Sequence, residues 1–293
     1  MPHWLATLLL LLAPLLAAAG RPNAEVVVAV GGDVLLGRGV AAASPVGTAL
    51  SGLRPAWAAA DLVIVNLEAP LGPCLPGGTP SHPRLCAAAE RVRDLVAAGV
   101  GAVTLGNNHA LDAGVRGLKG TVVRLARHGI AAVGVRPMLG GGLQIESLGP
   151  LRVLSVNLAR PLLAPGRALH PPTLTQVVAT LRKARAGPPM AVLIHSGREG
   201  VADVAPEAAL WAKALVQAGA AAVLWHGAHR VLAHASVDGA PVHYGLGNLR
   251  FDQRDPAARL GEVALLHVGK DRRLRLEIAC VDALAGQLRA CGK

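Results

Sequence analysis

Short apolar runs, dense in Val, Leu, Ile and Ala, recur along this chain. Between them lie stretches whose apolar residues return every three or four positions. The runs at 25–30, 62–65, 102–104, 131–135, 143–145, 151–156, 190–194, 221–224, 242–244, 262–268 and 274–281 predict strands. Their lack of polar alternation predicts burial on both faces. Residues 87–98, 117–128, 174–186 and 206–218 predict helices; the first two stop at Gly99 and Gly129, and the last opens at Pro206 and closes at Gly219. Strand and helix alternate, which reads as α/β. The last third is richer in strand and predicts a second sheet packed on the first. Pro- and Gly-rich stretches at 70–83 and 159–172 predict surface loops. No repeat and no linker divides the chain, so one domain is expected over 25–281, with a tail over 282–293.

Polar residues interrupt this pattern chiefly where the runs end, the place where an open α/β sheet carries its site. Asp33 stands behind two glycines, as a hard ligand for a metal or as a cap on the next segment. Asn66 and Glu68 share one side of an extended segment. Asn107, Asn108 and His109 offer amide oxygens and an imidazole, and Asp112 is placed to orient His109 as a proton donor. The bland reading of the same residues is a turn with a surface His. His195 follows its run directly, as ligand or structural residue, with Glu199 nearby as ligand, base or surface charge. His226 and His229, three apart around Gly227, can converge on one site. Carboxylates, amides and imidazoles delivered in series from separate strand ends suit a hydrolytic centre with two divalent cations, of Mn, Fe, Zn or Mg.

Composition adds three points. Residues 5–19 are apolar and end on Ala17-Ala18-Ala19, which predicts an export leader over 1–19, either removed or kept as an anchor. Four cysteines in an exported chain permit disulfides; the local pairings Cys74–Cys86 and Cys280–Cys291 are expected, with free buried thiols as the alternative. The net charge of +11, from 29 Lys+Arg against 18 Asp+Glu, draws anionic partners: phosphate esters, acidic polymers or anionic envelope surfaces. Alternatively it is compositional drift. With one Phe, one Tyr and four Trp the chain lacks the stacking platforms of single-strand binders, so no nucleic-acid partner is expected.

With these residues laid out, the sequence resembles the CapA family, capsule-synthesis proteins linked to bacterial poly-γ-glutamate and related to calcineurin-like metallophosphoesterases. The resemblance rests on GGDVLLGR (31–38), ADLVIVNLEAPL (60–71), TLGNNHALDAG (104–114), IHSGRE (194–199), HGAHRV (226–231) and YGLGNLRFD (244–252), in the family's order. It implies a four-layer αββα sandwich of metallophosphoesterase type. Asp33 would be the first carboxylate ligand. Glu68, with Asn66 beside it, would stand where related enzymes share an Asp between two metals. Asn108 would ligate and His109 would protonate a leaving group, while His195, His226 and His229 would supply nitrogens. Asn107, Glu199 and Asn248 fall in the same stretches as supporting residues. The family loop Gly-His-His-Pro-His reads Trp225-His226-Gly227-Ala228-His229 here, one imidazole fewer. Ser196, Leu249 and Gly245 replace a usual Trp, Phe and Ser, which implies a wider pocket or a looser grip on its ligand. Two functions compete: a metal-dependent hydrolase acting on a phosphate or amide substrate outside the cytoplasmic membrane, and a non-catalytic export or retention component that holds an acidic polymer within a membrane capsule-synthesis complex.

Overall fold

The computed structural model describes residues 25–79, 82–159, 169–197 and 199–291. The leader expected over 1–19 lies outside the described residues, as do 160–168 of the loop expected over 159–172. The chain begins with β1 (Val26–Val34), the short helix α1 (Arg38–Ala43) and a 3-10 turn at Ser51–Trp57. Next come β2 (Leu62–Leu67), α2 (Val92–Ala98), β3 (Ala102–Thr104), α3 (Gly114–Arg127), β4 (Ala131–Val133) and the single turn α4 (Val135–Met138). β5 (Ile145–Leu148), β6 (Leu151–Asn157), α5 (Leu174–Lys183), β7 (Met190–His195), α6 (Pro206–Gln217) and β8 (Ala222–His226) follow. The chain closes with β9 (His234–Val237), β10 (Ala240–His243), β11 (Asn248–Arg250), β12 (Leu260–Val268), β13 (Leu274–Asp282) and β14 (Gln287–Arg289).

Two sheets result. The first runs β14-β13-β12-β1-β2-β3-β4, with β11 joined to the end of β1; the second runs β5-β6-β7-β8-β10-β9. β1 to β4 are parallel neighbours, and so are β6, β7 and β8, as crossovers through α2, α3 and α6 require. The pleat sorts their side chains into layers. Val28 and Val30 face Ala191, Leu193, Ala222 and Leu224 between the sheets. Ala29 and Val34 turn outward onto Leu53, Trp57, Leu95, Leu118 and Leu125. Val192, Ile194, Val223 and Trp225 turn the other way, onto Val177, Leu181, Ala212 and Leu215. Helix, sheet, sheet and helix therefore stack around three apolar seams, which is the expected αββα sandwich.

Most expected elements form within a few residues of their predicted bounds. The helix expected over 87–98 opens as a 3-10 turn, Ala89–Arg91, and ends on left-handed Gly99. α5 stops at Lys183 rather than at 186. β9, β11 and β14 were not expected: they are short and polar, and their places come from neighbouring strands rather than from a run of their own. Residues after 281 continue the first sheet through β14. Cys74 is bonded to Cys86 and Cys280 to Cys291, which leaves no free cysteine among the described residues.

Candidate metal centre

Strand register assembles the site before any side chain is considered. At the end of β1 a bulge shifts the pairing with β2 so that Asp33 lies beside Asn66, and β11 places Asn248 on its other flank. The bulge brings β1 against the 246–248 segment: Asp33 N–H donates to Gly247 O at 2.9 Å. Only glycine fits at 32, because a Cβ there would stand 2.1 Å from that same carbonyl oxygen. Across the sandwich, β7 and β8 end in register with His195 beside His226.

Asp33, Glu68 and His229 converge, each buried, with one ligand atom apiece within 4.8 Å of the others. His229 Nδ1 lies 3.3 Å from Asp33 Oδ2, and Nε2 lies 3.6 Å from Glu68 Oε1. The His229 backbone is left-handed, φ 53°, a conformation that non-glycine residues adopt mainly where surroundings impose it. Those surroundings are Asn248 Oδ1 at 2.9 Å from Nδ1 and the Phe251 ring, 4.8 Å away centroid to centroid. Phe251 in turn packs with Leu35, Ala69 and Leu85. Asn248 is fixed by donating to Gln253 Oε1 and Ala258 O.

Amides tie the carboxylates together. Asn66 donates to Asp33 Oδ1 at 2.8 Å, and Asn107 donates to Asn66 Oδ1 at 3.0 Å and to Leu67 O at 2.9 Å. Asn108 Oδ1 meets His195 Nε2 at 2.7 Å, and that nitrogen lies 3.7 Å from Glu68 Oε1. His109 Nδ1 bonds Asp112 Oδ2 at 2.7 Å and leaves Nε2 4.0 Å from Glu68 Oε1. Glu199, largely exposed, reaches His229 Nε2 at 3.6 Å. His226 Nε2 meets Gly31 O at 3.1 Å, and among the described residues the ring forms no ion pair with a carboxylate, although its charge still acts on Asp33. Gly227, φ 93°, donates its N–H to Asp33 Oδ2 at 3.0 Å. A Cβ at 227 would lie 2.8 Å from His195 Nε2, so the imidazole absent from this loop has no room here without moving His195.

The electrostatics fit a cation. Burial pushes the Glu68 carboxyl up, and the charges of Asp33, Glu199 and Asp112 push it further against the pull of His229. Burial also works against Asp33, yet the bond and charge of His229, with His226 and His195 behind it, hold that carboxyl well below the usual range. Burial disfavours charge on His229 too, but Glu68 and Asp33 overcome it and raise the imidazole to about 10. Burial drives His195 down to about 3 and lowers His226. Glu68 Oε2 is buried with no hydrogen-bond partner. Asp33 thus draws its positive charge from a protonated His229, Glu68 is pushed toward its neutral form, and Glu68 Oε2 still lacks a partner. A divalent cation held there would supply positive charge to both carboxylates and leave His229 neutral, the state in which imidazole ligates. Oxygen, oxygen and nitrogen donors suit Mn, Fe, Zn or Mg.

Several contributors escaped the sequence reading: the Gly31 carbonyl, the Gly227 N–H, Gln253, the Leu85 N–H that bonds Asp112 Oδ2 at 2.6 Å, and Phe251. Gly31, Gly227 and Phe251 fall inside the motif stretches, and Phe251 is also the chain's single Phe; Gln253 and Leu85 lie outside them.

A sandwich of two sheets covered by helices, with polar side chains gathered at its strand ends, is the class of fold this chain defines. Solved structures agree on the fold. A phosphatase from Mycoplasma pneumoniae superposes with TM-score 0.54 at 14% identity, over 88% of this chain and 94% of that one. The sulfate thiohydrolase SoxB of Thermus thermophilus, in complex with glycerol, gives 0.50 at 16% over 83% of this chain and 44% of its own. The chain belongs to the bacterial capsule synthesis protein family PGA_cap, whose model matches residues 27–253. PGA biosynthesis protein CapA of Bacillus subtilis (strain 168) is 27% identical over 187 residues, which cover 60% of this chain and 49% of CapA. The match therefore spans about half the length of that relative.

Proposed function

We propose that this protein is a metal-dependent hydrolase of capsule or poly-γ-glutamate biosynthesis, acting on a phosphate or amide bond outside the cytoplasmic membrane. The observation that carries the reading is the buried convergence of Asp33, Glu68 and His229 around an acceptor oxygen without a donor. These three residues would hold the cation. When bound, it supplies Lewis acidity toward a phosphoryl or acyl oxygen. Asn66 and Asn107 keep Asp33 and the β2 end in place by side-chain hydrogen bonds. His109 presents a proton at Nε2 to the leaving atom, while Asp112 fixes its ring through Nδ1. A second cation would need Glu68, His195 and Asn108, and binding there breaks the 2.7 Å Asn108–His195 bond. One tightly held ion per chain is therefore expected, with any second ion weaker.

The two disulfides support an oxidising compartment, in keeping with an export leader over 1–19 ahead of a domain over 25–281. No helix among the described residues is long and apolar enough to cross a membrane. The test is metal analysis of the purified chain after exposure to Mn, Fe, Zn and Mg, with turnover of a chromogenic phosphodiester and of poly-γ-glutamate. Bound metal that disappears in Asp33→Ala and His229→Ala, together with the turnover, supports the assignment. A chain that takes up no metal, or turnover that survives both substitutions, overturns it.

The net charge of +11 favours a second reading, retention of an acidic polymer by the surface. Polyglutamate binding that weakens steeply with salt supports it; binding indifferent to salt removes it.

A further inference from the structure

Beside the candidate metal centre, on the helical side of the second sheet, lies a cavity of about 600 Å³. Sites for drug-sized ligands span roughly 300–1,000 Å³. The cavity joins the centre through two peptide steps. Ser196 lines it, directly after His195, and Ala228 lines it, directly before His229.

Its walls are unusual for this chain. The described residues contain five Phe, Tyr and Trp side chains: Trp57, Trp211, Trp225, Tyr244 and Phe251. Three of them, Trp211, Trp225 and Tyr244, line this one cavity. The Trp225 and Tyr244 rings meet at 5.4 Å with their planes inclined 34°. Buried indoles and phenols ordinarily find hydrogen-bond partners. Trp57 obeys that rule, donating Nε1 to Ala98 O at 3.0 Å. Trp211, Trp225 and Tyr244 have no side-chain hydrogen bond among the described residues, and none of their polar atoms is fully buried, so these groups stay open at the wall of the cavity. The acidic residues Asp203 and Glu207 stand on the same walls, also without an ion pair, in a chain where cations outnumber acids. No Lys or Arg is among the described lining residues.

The chemistry of the walls selects among occupants. Among the described residues a polyanion would meet two carboxylates and no cation, which disfavours polyglutamate at this spot. An organic cation would satisfy the carboxylates and the ring faces. However, an ammonium only donates, so it would leave the two indole N–H groups without an acceptor. A neutral sugar ring answers every feature. Its apolar face stacks on the aromatic planes, and its hydroxyls accept from the indole N–H groups while donating to Asp203, Glu207 and the Tyr244 oxygen. We infer that this cavity is a subsite for a neutral pyranose residue of an oligosaccharide, placed next to the metal centre by the His195–Ser196 and Ala228–His229 steps. The subsite goes beyond the hydrolase reading and does not depend on it, because its readout is binding.

The test titrates the full chain with cellotriose, maltotriose and triacetylchitotriose, with choline and tri-γ-glutamate as charged competitors. Tryptophan fluorescence and calorimetry follow binding, with EDTA present so that the outcome is independent of any cation. At least one trisaccharide should saturate with Kd in the range of about 10 μM to 1 mM. Trp211→Ala, which removes a half-buried wall, should weaken that binding roughly tenfold or more. Tyr244→Phe keeps the ring and deletes the hydroxyl, so it should weaken binding about three- to tenfold with the circular dichroism unchanged. Three results each overturn the inference: no saturation by any trisaccharide up to about 10 mM, saturation indifferent to both substitutions, or tighter binding of choline or tri-γ-glutamate than of every sugar.

Discussion

The two disulfides close loops of almost equal size, 12 and 11 residues of sequence separation, yet they touch different parts of the molecule. By the chain-entropy argument each is worth about 3 kcal/mol. The Cys280–Cys291 bond ties β13 to the second residue past β14 and so seals the outer edge of the first sheet. The Cys74–Cys86 loop instead wraps Asp112. Leu75 N–H donates to Asp112 O at 2.9 Å, Leu85 N–H donates to Asp112 Oδ2 at 2.6 Å, and Arg84 stands 3.7 Å from Oδ1. Leu85 also packs beneath Phe251, whose ring lies against His229. One crosslink thus secures an edge, while its equal in entropy holds the residue that orients His109 and part of the wall behind a ligand. Similar stabilisation, placed differently, has different functional reach.

The largest effect expected lies beyond either loop and sets the scale. Asp33→Ala and His229→Ala should each abolish tight metal binding, because each removes one of three donors and leaves a buried charge without its partner. Metal content by mass spectrometry reads this directly, and both disulfides should form normally. Next in size is Asp112→Asn, at the point where the first loop meets the site. It removes the carboxylate that steadies His109 and should lower turnover about 100-fold, the lower range for a general acid, with metal content unchanged. Loss of the metal in that variant would mean that Asp112 serves the ligands rather than the proton donor.

The comparison itself is broken or upheld by removing one crosslink at a time. Cys74→Ser/Cys86→Ser and Cys280→Ser/Cys291→Ser should lose similar stability in urea unfolding, about 2–4 kcal/mol each. Only the first should also lose turnover, by roughly tenfold, since it loosens the Leu85 bond to Asp112. Equal turnover in the two double variants would show that the first loop braces the fold and nothing more.

How much of this was legible in the sequence obeys the same division. Asp33, Asn66, Asn107 and His195 were readable because each ends an apolar run, and a parallel sheet aligns the ends of its strands. The choice between His226 and His229 was not. Both were expected at the site, and the two lie three apart and look equivalent as text, but the left-handed backbone at His229 sets its ring between the carboxylates, while His226 holds the Gly31 carbonyl through Nε2. β11 was invisible for a related reason: three residues, Asn248–Arg250, are too few to make a pattern, and their pairing depends on the close approach at Gly32. Periodicity records which face a residue occupies; it carries no information about contacts made by a bulge or a backbone carbonyl.

Interpreting the disulfide variants requires a measure of how far turnover follows stability alone, and Glu146 supplies it with the smallest effect. It lies on β5, at the edge of the second sheet, away from both crosslinks. Burial pushes its carboxyl up to about 7 against the help of backbone N–H groups, including Gly134 at 3.4 Å, and Oε2 has no partner. Because the folded-state value lies above the ordinary carboxylate value, the folded chain binds more protons than the unfolded chain between the two. Stability from this group is full below the ordinary value, falls as pH rises, and is lost once pH passes about 7. Glu146→Gln is neutral throughout, so it should flatten that decline. Relative to wild type it should gain on the order of 1–2 kcal/mol at pH 8, after discounting for partial exposure, and little at pH 5. Urea unfolding at the two pH values checks the sign. If turnover at pH 8 stays level while stability rises, activity does not track global stability, and a loss on opening Cys74–Cys86 belongs to the loop. If turnover moves with stability at this remote carboxylate, the contrast between the two crosslinks dissolves into a difference in folding.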